Sequence, residues 1–146
     1  MKTETKLKLE ELHLAISEAK KKMLKESNAI FNTVAKELFE THEQLEEFSW
    51  TQYTPYWSDG ETCYFNVNDA MINGEEGISD WEVKDARKNK ESQEKIAVLE
   101  NLVEITSDVQ ELLDSIGEEC LEEMFGDHAQ ITVTKDSVVV DSFDHD

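Results

Sequence analysis

The stretch Leu9-Glu-Glu-Leu-His-Leu-Ala-Ile-Ser-Glu-Ala-Lys-Lys-Lys-Met23 decides how the first third of the chain is read. Leu9, Leu12, Ile16, Ala19 and Met23 recur at 3-4-3-4 spacing, which is the seam of a heptad helix. Ile30, Val34 and Leu38 follow at 4-4, a shift of the kind a stutter produces, and Leu45 and Phe48 close the row. Neither Pro nor Gly interrupts the chain from Lys6 to Glu47. The pattern predicts one long helix over residues 1–47, about 60 Å long from Lys6 to Glu47 at ~1.5 Å per residue. Such a helix needs a partner along most of its length.

A second apolar row supplies that partner. Val98, Leu102, Ile105, Val109, Leu112 and Ile116 repeat at 4-3-4-3-4, widened by Leu99, Leu113, Leu121 and Met124. Ser79 and Glu82 have the spacing of a capping box, and Gly126 after Phe125 reads as a stop. A second long helix is therefore expected over 79–126, with Gly117 as its weak point or kink. Antiparallel pairing sets Lys20, Lys21, Lys22 and Lys25 against the acidic middle of the second helix. It also sets Glu40, Glu43 and Glu46 near Lys84, Arg87, Lys88 and Lys90. The pairing can occur within one chain or between two.

The segments outside the helices are β in character. Residues 48–65 hold 7 of the 12 aromatic residues and the only proline. Pro55 and Asp59-Gly60 signal turns, and Thr62 to Val67 reads as a short strand. Residues 68–78, with Asn73-Gly74 and Gly77, read as a flexible acidic loop. Residues 129–141 read as a hairpin turning at Lys135-Asp136-Ser137, with Ile131, Val133, Val138 and Val140 on one face. Residues 142–146 read as a frayed tail. The expected fold is thus a single α+β domain, mainly α: two long antiparallel coiled-coil-like helices, an aromatic β/loop segment (48–78) and a C-terminal β-hairpin. The aromatic segment and the hairpin lie at opposite ends of a simple helical pair. One sheet can hold both only if a helix bends, Gly117 being the candidate, or if two chains pair.

Charge narrows the function. With 14 basic and 34 acidic side chains the net charge is −20 over 146 residues. It falls in blocks: +3 over residues 1–36, −12 over 37–83, +2 over 84–95 and −13 over 96–146. Direct binding of nucleic-acid phosphates and docking on anionic lipid both need a basic footprint, and neither is expected. No apolar run approaches the ~18 residues of a membrane span, and Met1 to Lys6 lacks a signal-peptide core, so a cytoplasmic protein is expected. Cys63 and Cys120 stand 57 positions apart, without the spacing of a disulfide framework or zinc site.

Catalytic chemistry finds no constellation. His13, His42, His128 and His145 have no metal-ligand spacing and sit in no catalytic motif, so they read as surface histidines. Asn66, Asn68, Asp69, Glu75 and Glu76 match a cation loop only loosely, without the calcium-loop spacing. No catalytic residue, metal ligand or cofactor is assigned, and an enzyme is not expected.

Two features remain as partner-binding candidates. One is the aromatic segment, with Trp50, Tyr53, Tyr56, Trp57 and Asp59, because Trp and Tyr serve as interface anchors. Base stacking is set aside, since no basic residue occurs between Glu37 and Val83. The other is the acidic row Glu100, Glu104, Asp108 and Glu111. Nine carboxylates over residues 96–125 suit a basic protein surface, and nucleic-acid mimicry is its sharpest form. Spread over ~45 Å they give one charge per ~5 Å, against ~1.7 Å in duplex DNA, so mimicry would need residues 37–83 or a second subunit.

The strings Phe48-Ser-Trp-Thr-Gln-Tyr-Thr-Pro-Tyr-Trp-Ser-Asp-Gly-Glu61 and Phe125-Gly-Asp-His-Ala-Gln-Ile-Thr-Val-Thr-Lys-Asp136 resemble a group of small, acidic, uncharacterised proteins of tailed bacteriophages. The hairpin departs from that pattern with Asp136-Ser137 in place of Asp-Gly. The resemblance implies a phage-encoded protein in a bacterial cytoplasm and brings no mechanism. The expected function is a non-enzymatic acidic protein that binds and modulates or inhibits a host protein with a basic surface. The alternative is a coiled-coil scaffold, homodimeric, whose acidity serves solubility.

Overall fold

The computed structural model describes residues 1–56, 60 and 62–144. Helix α1 spans Thr3–Thr41, shorter at its C-terminus than the 1–47 expected. The chain reverses over residues 42–46 and enters strand β1 (Glu47–Tyr53). Two-residue strands follow: β2 (Asn66–Val67), β3 (Met71–Ile72) and β4 (Glu75–Glu76). Helices α2 (Asp80–Lys88), α3 (Gln93–Ile116) and α4 (Glu118–Phe125) lead to the hairpin β5 (Ala129–Thr134) and β6 (Val138–Ser142).

Strand β1 is the centre of one antiparallel sheet in the order β4-β3-β1-β5-β6, with β2 also pairing on β1. Its register sets Phe48 beside Val133 and Trp50 beside Ile131 on one edge, and Phe48 beside Ile72 on the other. The period-2 alternation in burial is broken in β1 only at Ser49, which is buried as well. Phe48, Trp50 and Gln52 point inward with Ala129, Ile131 and Val133, and Thr51 and Tyr53 take the other face. The segment read as a turn-rich aromatic stretch is therefore the central strand. The strand expected over 62–67 is confined to Asn66–Val67.

The acidic loop read at 68–78 is largely a tight hairpin. Asn73 and Gly74 both have positive φ (53° and 81°), which suits a two-residue turn joining β3 and β4. The Asn73 side chain accepts from Glu46 N–H (2.7 Å) and Glu47 N–H (3.1 Å) and donates to the Gln44 carbonyl (2.7 Å). It thereby fastens the hairpin to the α1–β1 turn. The tail is also partly held, because Ser142 belongs to β6 and Phe143 N–H donates to the His128 carbonyl (2.7 Å).

The helix expected over 79–126 is three helices. Ser79 N–H donates to the Glu82 carboxylate (2.9 Å), so the start of α2 is as the capping spacing indicates. The first break follows Lys88, where Lys90 takes φ 53° and Ser92 caps α3 by accepting from Lys95 N–H (3.2 Å). The second break is Gly117, at φ 86° and ψ 158°, a conformation open to glycine and almost closed to other residues. This bend resolves the topological question raised by the sequence. Beyond it α4 leads into β5, which pairs with Glu47 to Gln52 of β1 within one chain.

Only the second half of α1 enters the core. Phe31, Ala35 and Leu38 are buried, and the Phe31 ring meets Phe48, Trp50 and Phe125 with centroids 6.5, 6.0 and 5.5 Å away. Ile105, Val109, Leu112, Leu113 and Leu121 complete the interior from α3 and α4. The contacts Phe31–Phe125 and His42–Asp108 show α1 and α3–α4 running in opposite directions. Residues 1–22 are exposed throughout, so the lysines at 20–22 do not meet α3. Among the described residues no ion pair links these lysines to α3, nor Glu40, Glu43 or Glu46 to the cations of α2.

Candidate functional site

Trp50 is a core residue, 1% exposed, and so is not available as a partner-facing anchor. Its indole N–H donates to Gln52 Oε1 (2.9 Å). Gln52 in turn donates through Nε2 to the carbonyls of Leu121 (2.9 Å) and Gly126 (2.8 Å). A buried amide survives here because its oxygen and its nitrogen are both engaged, and because it satisfies carbonyls at the open end of α4. The strand, the indole and α4 are tied together by this one side chain.

Tyr53 and Tyr56 lie beyond the buried part of β1 and form an aromatic tip with residues from the far end of the sequence. Tyr53 packs on Phe143 with ring centroids 5.5 Å apart. Tyr56 stacks on His128 at 4.8 Å and 15°, and is 63% exposed. The tip is held by Asp127, whose carboxylate accepts from Thr54 N–H (2.7 Å), Thr54 Oγ1 (2.7 Å) and His128 N–H (2.8 Å). Partial burial alone would push the Asp127 carboxyl up. The Thr54 hydroxyl, the two backbone N–H groups and the adjacent His128 outweigh it, and hold the group below its ordinary 3.8. Trp57 and Asp59 lie outside the described residues. Asp127 and Phe143 were not singled out by the sequence reading and His128 was read only as a surface histidine, because nothing local links them to residues 53–56. Only the β1–β5 register brings them to the tyrosines.

The acidic row divides in the fold. Asp108 is half-buried and lies 2.8 Å from Nε2 of His42, a histidine that is itself buried and not at the surface as expected. Glu100 pairs with Arg87 across the α2–α3 hairpin. Glu104 and Glu111 are exposed, as are Asp114, Glu118, Glu119 and Glu123 on the same helical arm. No Lys or Arg occurs from Ile96 to Thr134. Two of the four acidic candidates therefore have partners within the fold, and two face outward within a wider negative surface.

Other chemistry is sparse. Asn66 and Asn68, candidates for a cation loop, bond to each other (3.2 Å), and Asn68 donates to Thr51 Oγ1 (2.8 Å). Among the described residues no group of three or more His, Cys, Asp or Glu is placed to hold a metal ion, and no helix is long and apolar enough to cross a membrane. A groove of ≈ 490 Å³ runs between α1 and the β5–β6 hairpin, lined by Ala35, Lys36, Phe39, Val133 and Val138 among others. No known protein family, curated protein or solved structure matches the chain.

Proposed function

We propose that this chain is a non-enzymatic interaction protein, phage-encoded and acting in a bacterial cytoplasm, that binds and inhibits or modulates a host protein through its acidic face. One observation carries the reading. Residues 96–125, in α3 and α4, bear nine carboxylates and no basic residue, and among the described residues only Glu100 and Asp108 of these have a cationic or histidine partner. Like charges spaced four apart on a helix oppose its formation by a few tenths of a kcal/mol each. A face kept this way is favoured where it meets opposite charge. The aromatic tip, with Tyr56 exposed, supplies the apolar anchor that such a contact needs beside its charges.

Immobilised protein exposed to bacterial lysate is expected to retain a basic protein at low salt and to release it as salt rises, because screening acts beyond ~10 Å at 0.1 M. Glu104→Lys with Glu111→Lys should lower that retention, and duplex DNA should compete if the face mimics nucleic acid. Retention indifferent to salt and to these substitutions overturns the reading. The scaffold alternative rests on the exposed apolar row of α1. A strict monomer in sedimentation overturns it.

A further inference from the structure

The first half of α1 is a surface of opposite character to the rest of the molecule. Residues 1–25 carry seven lysines and four glutamates, the most basic stretch of a chain at −20. They form helix from Thr3 onward with every residue to Lys22 exposed, about 30 Å of helix reaching past the core. Leu9, Leu12 and Ile16 are 41%, 53% and 44% exposed, so the heptad seam is open to solvent. At 100° per residue this seam lies about 90° around the helix from the face that packs Phe31, Ala35 and Leu38. Ile30, 57% exposed, prolongs the seam alongside the packed half. The open row is thus not a continuation of the core contacts. It is a second, independent face.

The side chains that flank the seam say what covers it. With Leu9 and Ile16 at heptad position a and Leu12 and Ala19 at d, the flanking e positions are Lys6, His13 and Lys20, and the g positions are Lys8, Ala15 and Lys22. No carboxylate stands at any of the six. A second copy laid antiparallel would oppose Lys6 to Lys20 and Lys8 to Lys22, twice over. Laid parallel, it would set Lys8 against His13 and offer no partner acid to Lys20 or to Lys22, whose one carboxylate neighbour is Glu26 of its own helix at 4.0 Å. A narrow a/d row with Glu10, Glu11 and Glu18 elsewhere on the helix also suits a partner helix better than the broad apolar face that lies in a membrane.

We propose that residues 3–23 of α1 dock an amphipathic helix of another protein, one whose apolar row is flanked by carboxylates that meet Lys6, Lys8, Lys20 and Lys22. The chain then carries two surfaces of opposite sign, an acidic body and a basic helical arm. The two are separable by mutation, and the arm's binding does not depend on the function proposed for the body.

The test uses the full chain and two synthetic peptides of three heptads, both with Leu and Ile at the seam, one flanked by Glu and the other by Lys. Titration followed by fluorescence anisotropy is expected to show the Glu-flanked peptide binding about tenfold or more tighter than the Lys-flanked one. Leu12→Lys with Ile16→Lys should abolish binding while the thermal midpoint stays unchanged, since neither residue touches the core. The quadruple change of Lys6, Lys8, Lys20 and Lys22 to Glu should invert the preference. Equal affinity for both peptides, or a preference that fails to invert, overturns the proposal. A dimer in sedimentation that Leu12→Lys with Ile16→Lys converts to monomer overturns it in favour of a second copy. Retention by phosphatidylserine vesicles with no peptide binding overturns it in favour of a membrane.

Discussion

The two halves of α1 have apolar rows of similar strength, yet one half is core and the other is bare. Residues 23–41 carry Phe31, Ala35 and Leu38 against the sheet and α3–α4, while residues 3–22 touch none of it. Periodicity therefore reports that a helix has a face to bury and says nothing of whether this chain buries it. What separates the halves is reach. Phe125, at the end of α4, is level with Phe31, and among the described residues nothing covers Leu12 or Ile16.

The strongest way to break the comparison is to empty the packed half. Phe31→Ala removes a ring that meets three other aromatic rings in a fully buried site. A loss of about 3–5 kcal/mol is expected from chemical denaturation, enough to unfold much of the population of a marginally stable domain. A loss under 1 kcal/mol would show that the contact of α1 with the sheet contributes little to stability.

Gly117→Ala comes next. A Cβ at Gly117 would meet nothing within 4 Å, so the penalty is purely conformational. Holding a non-glycine residue at φ 86°, ψ 158° costs about 1–3 kcal/mol. The relief is to straighten α3 into α4, which draws β5 from β1. The expected signature is a gain in far-ultraviolet helical signal together with a lower melting temperature. Lower stability without added helix would mean that the bend is held by the sheet and not chosen by the glycine.

Much of this bend was legible in the sequence. Gly117 stands alone inside an apolar helical row, and the capping pair Ser79 and Glu82, the stop at Gly126 and the hairpin turn at 135–137 were equally readable. Each of these is local chemistry. The central strand was harder to see, although Phe48, Trp50 and Gln52 alternate with Ser49, Thr51 and Tyr53. Gln52 is polar, and it can be interior only because carbonyls 69 and 74 positions away accept its two N–H groups. The candidate site suffered in the same way. Trp50 and Tyr56 are both aromatic, but Trp50 pairs with Ile131 inside the sheet whereas Tyr56 lies past the end of β1 and is exposed.

A smaller effect tests the lock at the aromatic tip. Asp127 has a folded pKa below its ordinary 3.8. Its contribution is therefore present above the unfolded value and is lost as pH falls through the folded one. Asp127→Asn should lower stability modestly at neutral pH, and the gap from the parent should close as the solution is acidified below 3.8. Melting curves at pH values on both sides of that point check this. A gap that is constant with pH would assign the effect to lost geometry and not to charge. Either way the packed half of α1 should remain ordered, because the tip lies beyond Trp50.

The smallest expected effect separates the halves most cleanly. Ala15 and Ala29 are both exposed alanines of α1, one on the bare arm and one beside the packed turn of Phe31. Replacing Ala by Gly inside a helix costs about 1 kcal/mol wherever the helix must form. At Ala29 the helix must form for the domain to fold, so Ala29→Gly should lower global stability by about that amount. At Ala15 the helix is not part of the cooperative core. An isolated helix of ~20 residues is marginal in water, and here it grows outward from a nucleus that the packed half supplies. Ala15→Gly should therefore leave the denaturation midpoint within error and speed amide hydrogen exchange across residues 3–22 alone. Equal losses at the two positions would show that the arm folds as one unit with the body. Saturation with the Glu-flanked peptide should restore slow exchange in the arm, because a docked helix supplies the burial that the chain itself does not.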